Sequence, residues 1–350
     1  MIKSKSGVEI SLASVPNAHC LLLGQSGSGK TVGLNILIEK AMGEGHRVLV
    51  VDYSDSFTLE EIEKAKVLNV EVVDFKDLSK ETLVLPFLSG NKAKDVESIS
   101  MALSDSFEIF GRRQKEVLHE LVSNIWEDGS VRFGGIVEYL DVMYLLEKDD
   151  NPDKARRIEN ISEKLEPLAE SDFIELVNIS GSGEISNSVT VLEFSGFPLE
   201  TRKKFANLCL ELYWQKIRRR QADMETTRIV LDEVQNVGFR KTQAFTNMIR
   251  EGRKFGLGIF MATQFEKDTE KLELLMQAAN ILFFKPTMIN VRKTAKLIEE
   301  DKWKIWLEVL KKLSVGHFVL VGNYTINKNI KIHQTPILAQ MESNSQEEIK

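Results

Sequence analysis

Residues 24–31 read Gly-Gln-Ser-Gly-Ser-Gly-Lys-Thr and match the pattern G-x-x-x-x-G-K-[ST] at every fixed position. An apolar run, 21–23, precedes this stretch, and a segment with helical character, 32–41, follows it. In that setting the glycines let successive backbone N–H groups point at phosphate oxygens, and the positive end of the helix adds to the attraction. Lys30 would reach the β- and γ-phosphates, and Thr31 would ligate Mg²⁺. The stretch therefore predicts a strand, a phosphate-binding loop and a helix.

The composition is that of a large folded protein. The 350 residues are 43% hydrophobic, which is enough to bury a core as one domain or two closely joined ones. The formal net charge of -6 argues against a surface that coats nucleic acid, although it allows a local basic channel. Cys20 and Cys209 lie in apolar patterns typical of buried thiols. No apolar run is long enough to cross a membrane and residues 1–6 do not resemble a signal peptide, so we expect a cytoplasmic protein without membrane contact.

The hydrophobic pattern predicts a parallel sheet built around the loop. Strand 47–52 is a continuous apolar run that ends in Asp52, a carboxylate expected to face the nucleotide at the sheet edge. Helices are predicted at 200–221 and 290–312. Further strands are predicted at 7–13, 70–75, 189–194, 228–231, 257–262, 281–284 and 317–321. This alternation predicts a doubly wound α/β fold with a mostly parallel central sheet flanked by helices.

The middle of the chain has a different periodicity. Ile99, Leu103, Phe107 and Phe110 begin a series of helical repeats. We therefore predict an inserted helical subdomain at 91–175. It would divide the α/β core into residues 1–90, which open with a hairpin, and residues 176–340, and a polar tail would follow at 341–350.

A second acidic element decides what the loop does with its nucleotide. The run Arg-Ile-Val-Leu-Asp-Glu at 228–233 is an apolar strand that ends in two carboxylates. Asp232 would hold Mg²⁺, and Glu233 would polarise the water that attacks the γ-phosphate. A glutamate in that place favours ATP hydrolysis over binding alone.

The next strand, 257–262, is followed by Thr263 and Gln264. Gln264 would face the phosphates and sense the γ-phosphate, unless it only caps the strand. Upstream, 250–256 reads Arg-Glu-Gly-Arg-Lys-Phe-Gly. Arg250 or Arg253 would reach a neighbouring subunit's γ-phosphate, or these cations only complement a helix dipole.

Three basic clusters are candidates for a nucleic-acid channel or, equally, for solvated helix faces. They are Arg112, Arg113 and Lys115; Arg202, Lys203 and Lys204; and Lys216, Arg218, Arg219 and Arg220.

Together these motifs resemble the HerA/FtsK superfamily and, within it, the HerA-like (DUF87-type) ATPases. The resemblance covers about residues 8–335 and depends most on Arg-Glu-Gly-Arg-Lys-Phe-Gly followed by Ala-Thr-Gln. It implies a RecA-like P-loop ATPase that assembles into a hexameric ring and moves double-stranded DNA or protein. It also implies roles for particular residues. The nucleotide would be bound by Gly24, Gln25, Ser26, Gly27, Ser28, Gly29, Lys30, Thr31, Val32 and Asp52, Mg²⁺ by Thr31 and Asp232, and the catalytic residues would be Glu233, Gln264, Arg250 and Arg253.

This sequence differs from the family pattern at the N-terminus. HerA proteins carry an N-terminal β-barrel, whereas some 18 residues precede the first predicted core strand here. Three hypotheses follow. The chain is a ring motor on double-stranded DNA; or an ATP-regulated scaffold for a separately encoded nuclease or other effector, as in anti-phage defence; or a conjugation or secretion ATPase.

Overall fold

A computed structural model describes residues 2–4, 6–12, 16–127, 129–169, 171–179, 189–219, 226–240, 242–264, 269–327 and 331–342. Its strands are β1 (Ile2–Ser4), β2 (Glu9–Leu12), β3 (Cys20–Leu23), β4 (Arg47–Asp52), β5 (Val73–Asp77), β6 (Leu83–Leu88), β7 (Trp126–Glu127), β8 (Ser130–Arg132), β9 (Ile174–Asn178), β10 (Val189–Glu193), β11 (Thr227–Leu231), β12 (Gly258–Thr263), β13 (Asn280–Phe284), β14 (His317–Gly322), β15 (Tyr324–Ile326) and β16 (Ile337–Met341).

The helices are α1 (Lys30–Gly43), α2 (Leu59–Ala65), α3 (Lys92–Ser106), α4 (Arg112–Ile125), α5 (Ile136–Glu147), α6 (Pro152–Ala169), α7 (Leu199–Arg219), α8 (Ala244–Glu251), α9 (Thr269–Leu275), α10 (Val291–Ile298) and α11 (Trp303–Lys311). Short 3₁₀ turns lie at Val70–Val72, Val234–Asn236 and Gly252–Phe255.

Within the described residues the larger sheet has 12 strands, in the order β15-β2-β1-β16-β14-β13-β3-β12-β11-β4-β10-β5. The seven strands from β13 to β5 run parallel to one another. The strands on the other side of β13 pair antiparallel. Parallel strands bring their carboxyl ends to one edge, so the predicted site residues share that edge.

Helices cover both faces of the parallel strands. Along β3 the side chains alternate: Leu21 and Leu23 join one buried cluster, and Cys20 and Leu22 join another on the opposite face. Helix α1 packs into the second cluster, and α3, α7 and α8 pack into the first. The predicted α/β fold with a mostly parallel sheet is confirmed. The two cysteines are buried as expected, and burial raises the pKa of Cys20 to about 12.

The stretch predicted as helical contains α3, α4, α5 and α6, together with strands that the periodicity did not reveal. Among the described residues, β6, β9, β8 and β7 form a second sheet of four strands. β7 and β8 are too short to show alternation, and Pro86 interrupts the strand pattern of β6. The domain boundaries at 90, 175 and 340 stay a prediction, and most of the predicted polar tail lies outside the described residues.

Two other predicted elements differ in detail. The helix predicted at 290–312 is two helices, α10 and α11, because the backbone is extended at Glu299. The Glu299 carboxylate accepts a hydrogen bond from Trp306 Nε1 at 3.0 Å. The strand predicted at 70–75 begins with a 3₁₀ turn. No helix in the described ranges combines the length and apolar composition needed to cross a lipid bilayer.

Candidate functional site

The phosphate loop, residues 24–31, follows β3 and is held between the carboxyl ends of the two strands that flank it, β12 and β13. Gly24 N donates to Thr263 O at 3.2 Å, and Gln25 N donates to Lys285 O at 2.9 Å. Gly29 precedes α1 with φ of 101°, a left-handed conformation that favours glycine. A Cβ at Gly29 would also lie 3.0 Å from the backbone nitrogen of Gly316. The loop conformation therefore depends on glycine at position 29.

Lys30 begins α1 and turns back into the loop. Its Nζ donates to Gly24 O at 3.0 Å and to Gln25 O at 3.1 Å, and the residue is only 5% exposed. Burial lowers the pKa of Lys30, whereas the nearby carboxylates of Glu233 and Asp232 raise it. The ammonium is thus placed among the backbone groups that the motif assigns to phosphate binding.

The phosphate loop and the end of β11 meet through side chains. Thr31 Oγ1 donates to Asp232 Oδ2 at 2.8 Å across 201 residues of sequence. Asp232 is 4% exposed, and burial raises its pKa while the bond from Thr31 opposes that rise. A hydroxyl and a carboxylate at this separation are hard oxygen ligands from two elements, a donor set that fits Mg²⁺.

Glu233 occupies a left-handed turn immediately after Asp232. Its φ is 51°, and its backbone nitrogen donates to Asp232 Oδ1 at 2.8 Å. The hydroxyl of Tyr53 donates to Asp232 O at 2.6 Å and to Glu233 O at 3.1 Å. Tyr53 is 3% exposed, and its pKa is raised well above the usual value, mainly by burial, so it remains a proton donor. Sequence reasoning missed this residue, because nothing in the order of residues brings 53 beside 233.

Gln235 is a second residue that sequence reasoning missed. Its Nε2 donates to Glu233 Oε2, and its Oε1 accepts from Thr263 Oγ1 at 2.5 Å. The glutamine therefore connects the carboxylate of Glu233 to the end of β12. Its position within the Asp-Glu-Val-Gln run was the available signal.

Gln264 follows β12 directly and is exposed. Thr263 pairs with Leu23 in parallel register, so Gln264 lies level with the start of the phosphate loop. This position agrees with the predicted role as a phosphate sensor, which stays a prediction.

Asp52 differs from the prediction. Its Oδ1 accepts from Ser56 N at 3.0 Å, and its Oδ2 accepts from Phe57 N at 2.8 Å. The residue is 2% exposed and closes the turn that follows β4. Both oxygens are thus engaged by backbone donors, so we assign Asp52 a structural role in place of the predicted contact with nucleotide.

Arg253 lies at the opposite edge of the sheet from the phosphate loop. A Cβ at the adjacent Gly252 would be 3.4 Å from His19, which immediately precedes β3. The five residue-to-residue steps from His19 to Gly24 span roughly 16 Å of extended chain, beyond the reach of an arginine side chain. Arg253 therefore cannot contact the nucleotide of its own subunit, and the predicted role in a neighbouring site remains open to it.

The basic clusters do not form one channel within the described residues. Arg202 pairs with Asp55 at 2.7 Å, Arg219 pairs with Asp95 at 3.1 Å, and Arg112 pairs with Glu116 at 3.2 Å. Arg220 lies outside the described residues. Of the described residues in these three clusters, only Lys203 and Lys204 line the same cleft as Arg250.

Comparison with known proteins places this site in a family. The family model "Helicase HerA, central domain" (DUF87) matches residues 1–213. The DNA double-strand break repair helicase HerA of Sulfolobus acidocaldarius (strain ATCC 33909 / DSM 639 / JCM 8929 / NBRC 15157 / NCIMB 11770) is 21% identical over 345 residues, a match that covers 91% of this chain and 65% of that protein. The chain thus spans less than two thirds of that relative's length.

Two solved structures have a similar fold. VirB4 of Thermoanaerobacter pseudethanolicus superposes with a TM-score of 0.63 at 15% identity, covering 97% of this chain and 95% of that chain. The plasmid coupling protein TrwB, in complex with the non-hydrolysable ATP analogue ADPNP, superposes with a TM-score of 0.64 at 10% identity, covering 95% of this chain and 88% of that chain. At these identities the likeness shows a common fold.

Proposed function

The chain belongs to the family of HerA helicase central domains, within the HerA/FtsK-type P-loop ATPases, and from that membership we propose that it hydrolyses ATP with Mg²⁺. The observation that carries the proposal is the 2.8 Å hydrogen bond from Thr31 to Asp232. It joins the phosphate loop to a carboxylate strand at one sheet edge, with Glu233 as the next residue. Nucleotide binding alone would not require the carboxylate of Glu233, which is placed to act on the attacking water.

Each residue of the site has a proposed part in hydrolysis. The backbone N–H groups of the phosphate loop and Lys30 bind and orient the β- and γ-phosphates. Thr31 and Asp232 would hold Mg²⁺, which supplies positive charge against the phosphate oxygens. Glu233 orients the attacking water and accepts its proton. Gln264 donates a hydrogen bond to the γ-phosphate from the neighbouring strand.

We further propose that the active site is completed by a second subunit in a hexameric ring. The edge position of Arg253 supports this, because an arginine there is out of reach of the γ-phosphate in its own subunit. Arg250 lies one turn earlier, at the end of α8, and is the alternative. An arginine supplied in trans stabilises the charge that develops on the transferred phosphoryl group.

The proposed substrate of this motor is double-stranded DNA in the cytoplasm. The proposal rests on family membership and on the similarity to the HerA relative, a DNA double-strand break repair helicase. The ring would act with a separately encoded nuclease or other effector, in DNA processing or anti-phage defence.

A scaffold function is the second candidate, because α5 exposes an apolar face. Val142, Leu145 and Leu146 are 55%, 58% and 72% exposed. An apolar face of this kind is typical of a protein-binding surface. On this reading the ATPase would regulate the assembly of a partner protein, and translocation would be secondary.

Two measurements test the proposed function. Mass measurement with and without an ATP analogue should show a ring, and the ATPase rate should rise on addition of double-stranded DNA in a salt-sensitive way. Lys30→Ala should abolish nucleotide binding, whereas Glu233→Gln should bind ATP and fail to turn it over. An ATPase indifferent to DNA, with no salt-sensitive DNA binding, would refute the DNA motor and favour the scaffold. Turnover by Glu233→Gln at the parental rate would refute the catalytic assignment.

A further inference from the structure

A cleft of about 600 Å³ has Asn236, three residues after Glu233, in its lining. We call it the α7–α9 cleft. Its walls come from the start of α7, the segment after the 3₁₀ turn at 234–236, the end of α8, and α9. The lining residues that matter here are Lys204, Asn207, Asn236, Gly238, Arg250 and Lys271.

The cleft carries an excess of positive charge. Five basic and three acidic side chains line it. Lys203 pairs with Glu200 at 2.8 Å, and Arg240 pairs with Glu108 at 2.7 Å. Lys204 and Arg250, by contrast, have no carboxylate within ion-pair distance in the described part of the chain. Two such cations beside amide donors favour a ligand with several negatively charged oxygens.

One wall of the cleft is connected along the chain to Gln235, whose side chain is hydrogen-bonded to Glu233. Gly238 N donates to Asn207 Oδ1 at 3.3 Å, and Asn236 N donates to Glu233 O at 3.0 Å. Gln235, the residue before Asn236, donates its amide to the Glu233 carboxylate. Residues 235–238 thus connect the wall to the carboxylate that would activate water.

We propose that the α7–α9 cleft binds the phosphate backbone of DNA, and that this binding releases Glu233 from Gln235. The inference rests on the proposed function and deepens it. In the free chain the Gln235 amide engages the Glu233 carboxylate, which lowers its capacity to accept a proton from water. Phosphate oxygens held by Lys204 and Arg250 accept a hydrogen bond from Gly238 N in place of Asn207 Oδ1, which shifts residues 236–238 and draws Gln235 away.

DNA binding by single variants tests the first half of the proposal. Each lost phosphate contact lowers the slope of log affinity against log salt by about 0.9. We expect that decrease in salt slope for Lys204→Ala and for Arg250→Ala when binding to a short duplex is measured by fluorescence anisotropy. Lys148 is an exposed lysine on another surface, and Lys148→Ala should keep the parental slope. A salt slope unchanged in both cleft variants, or a poly-glutamate peptide that binds the cleft more tightly than the duplex, would overturn the assignment to DNA.

ATPase rates of Gln235→Leu test the coupling. We expect its rate without DNA to rise to about the DNA-stimulated rate of the parent, with an unchanged Tm. Gln334→Leu, which removes an amide that donates to Asn323 at 2.8 Å elsewhere, should respond to DNA like the parent. If Gln235→Leu keeps the parental response, or loses rate both with and without DNA, the coupling is wrong although the motor stands. If the parent itself ignores DNA, the proposed function falls first.

Discussion

Replacing Tyr53 by phenylalanine would test how the site holds Glu233, the proposed catalytic residue. The substitution removes one hydroxyl whose oxygen lies 2.6 Å from Asp232 O and 3.1 Å from Glu233 O, in a residue that is 3% exposed. It leaves the phosphate loop and the carboxylates unchanged. The variant therefore tests how the Tyr53 hydroxyl supports the turn at Glu233, without changing any group proposed to bind nucleotide or activate water.

The expected cost has two parts. A buried hydrogen bond contributes about 1 kcal/mol to stability, and a carbonyl left unsatisfied adds about 1–3 kcal/mol. The left-handed conformation of Glu233, with φ of 51°, is disfavoured for a non-glycine residue. Without the hydroxyl the turn can relax by about 1–2 kcal/mol, which reduces the fraction of molecules that hold Glu233 in its catalytic conformation about 5–30-fold. We expect kcat to fall by that factor with little change in KM for ATP.

Urea denaturation and steady-state ATPase assays measure both effects. Tyr324→Phe is the matched control, because its buried hydroxyl also donates to a backbone carbonyl, Thr335 O, at 2.9 Å, but in the antiparallel part of the sheet. It should lose similar stability and keep its kcat. A Tyr53→Phe variant with lowered stability and parental kcat would refute the idea that Tyr53 positions Glu233.

Three further predictions concern other parts of the molecule. Burial raises the pKa of Glu211 to about 8. The folded state therefore retains a proton that the unfolded state releases above about pH 4.5, and the parent should lose up to about 1.4 kcal/mol of stability per pH unit from there to pH 8. In thermal melts, the Tm of Glu211→Gln should fall less with rising pH than the Tm of the parent. Parallel plots of Tm against pH for the two proteins would contradict the raised pKa of Glu211. If Arg253 acts in trans, mixing inactive Arg253→Ala and Lys30→Ala subunits should restore about a quarter of the intersubunit sites, and no recovery of ATPase activity would count against it. Gly29→Ala should weaken ATP binding at least about tenfold in titration calorimetry, because both its φ and its contact with Gly316 exclude a side chain, whereas Gly43→Ala, with open space around it, should bind normally.

Much of the fold was predictable from local pattern. The strand 47–52 was predicted with its observed bounds, because a buried parallel strand is a continuous apolar run. β7 and β8 were missed, because two or three residues carry no readable period. The predicted membership in the HerA-like family is confirmed, since it depended on contiguous motifs that one sequence displays in full.

The sequence by itself determined the chemistry available to this protein. The phosphate loop and the Asp-Glu pair at 232–233 are local motifs whose residue types specify what they can bind. Tertiary structure alone decided how they are joined. Strand order places Thr31 on Asp232 and Tyr53 beneath Glu233, and local turn geometry directs Asp52 into the protein interior. The physical reason is that periodicity specifies which face of an element is buried, whereas contacts between distant residues depend on strand order and register, which periodicity leaves open.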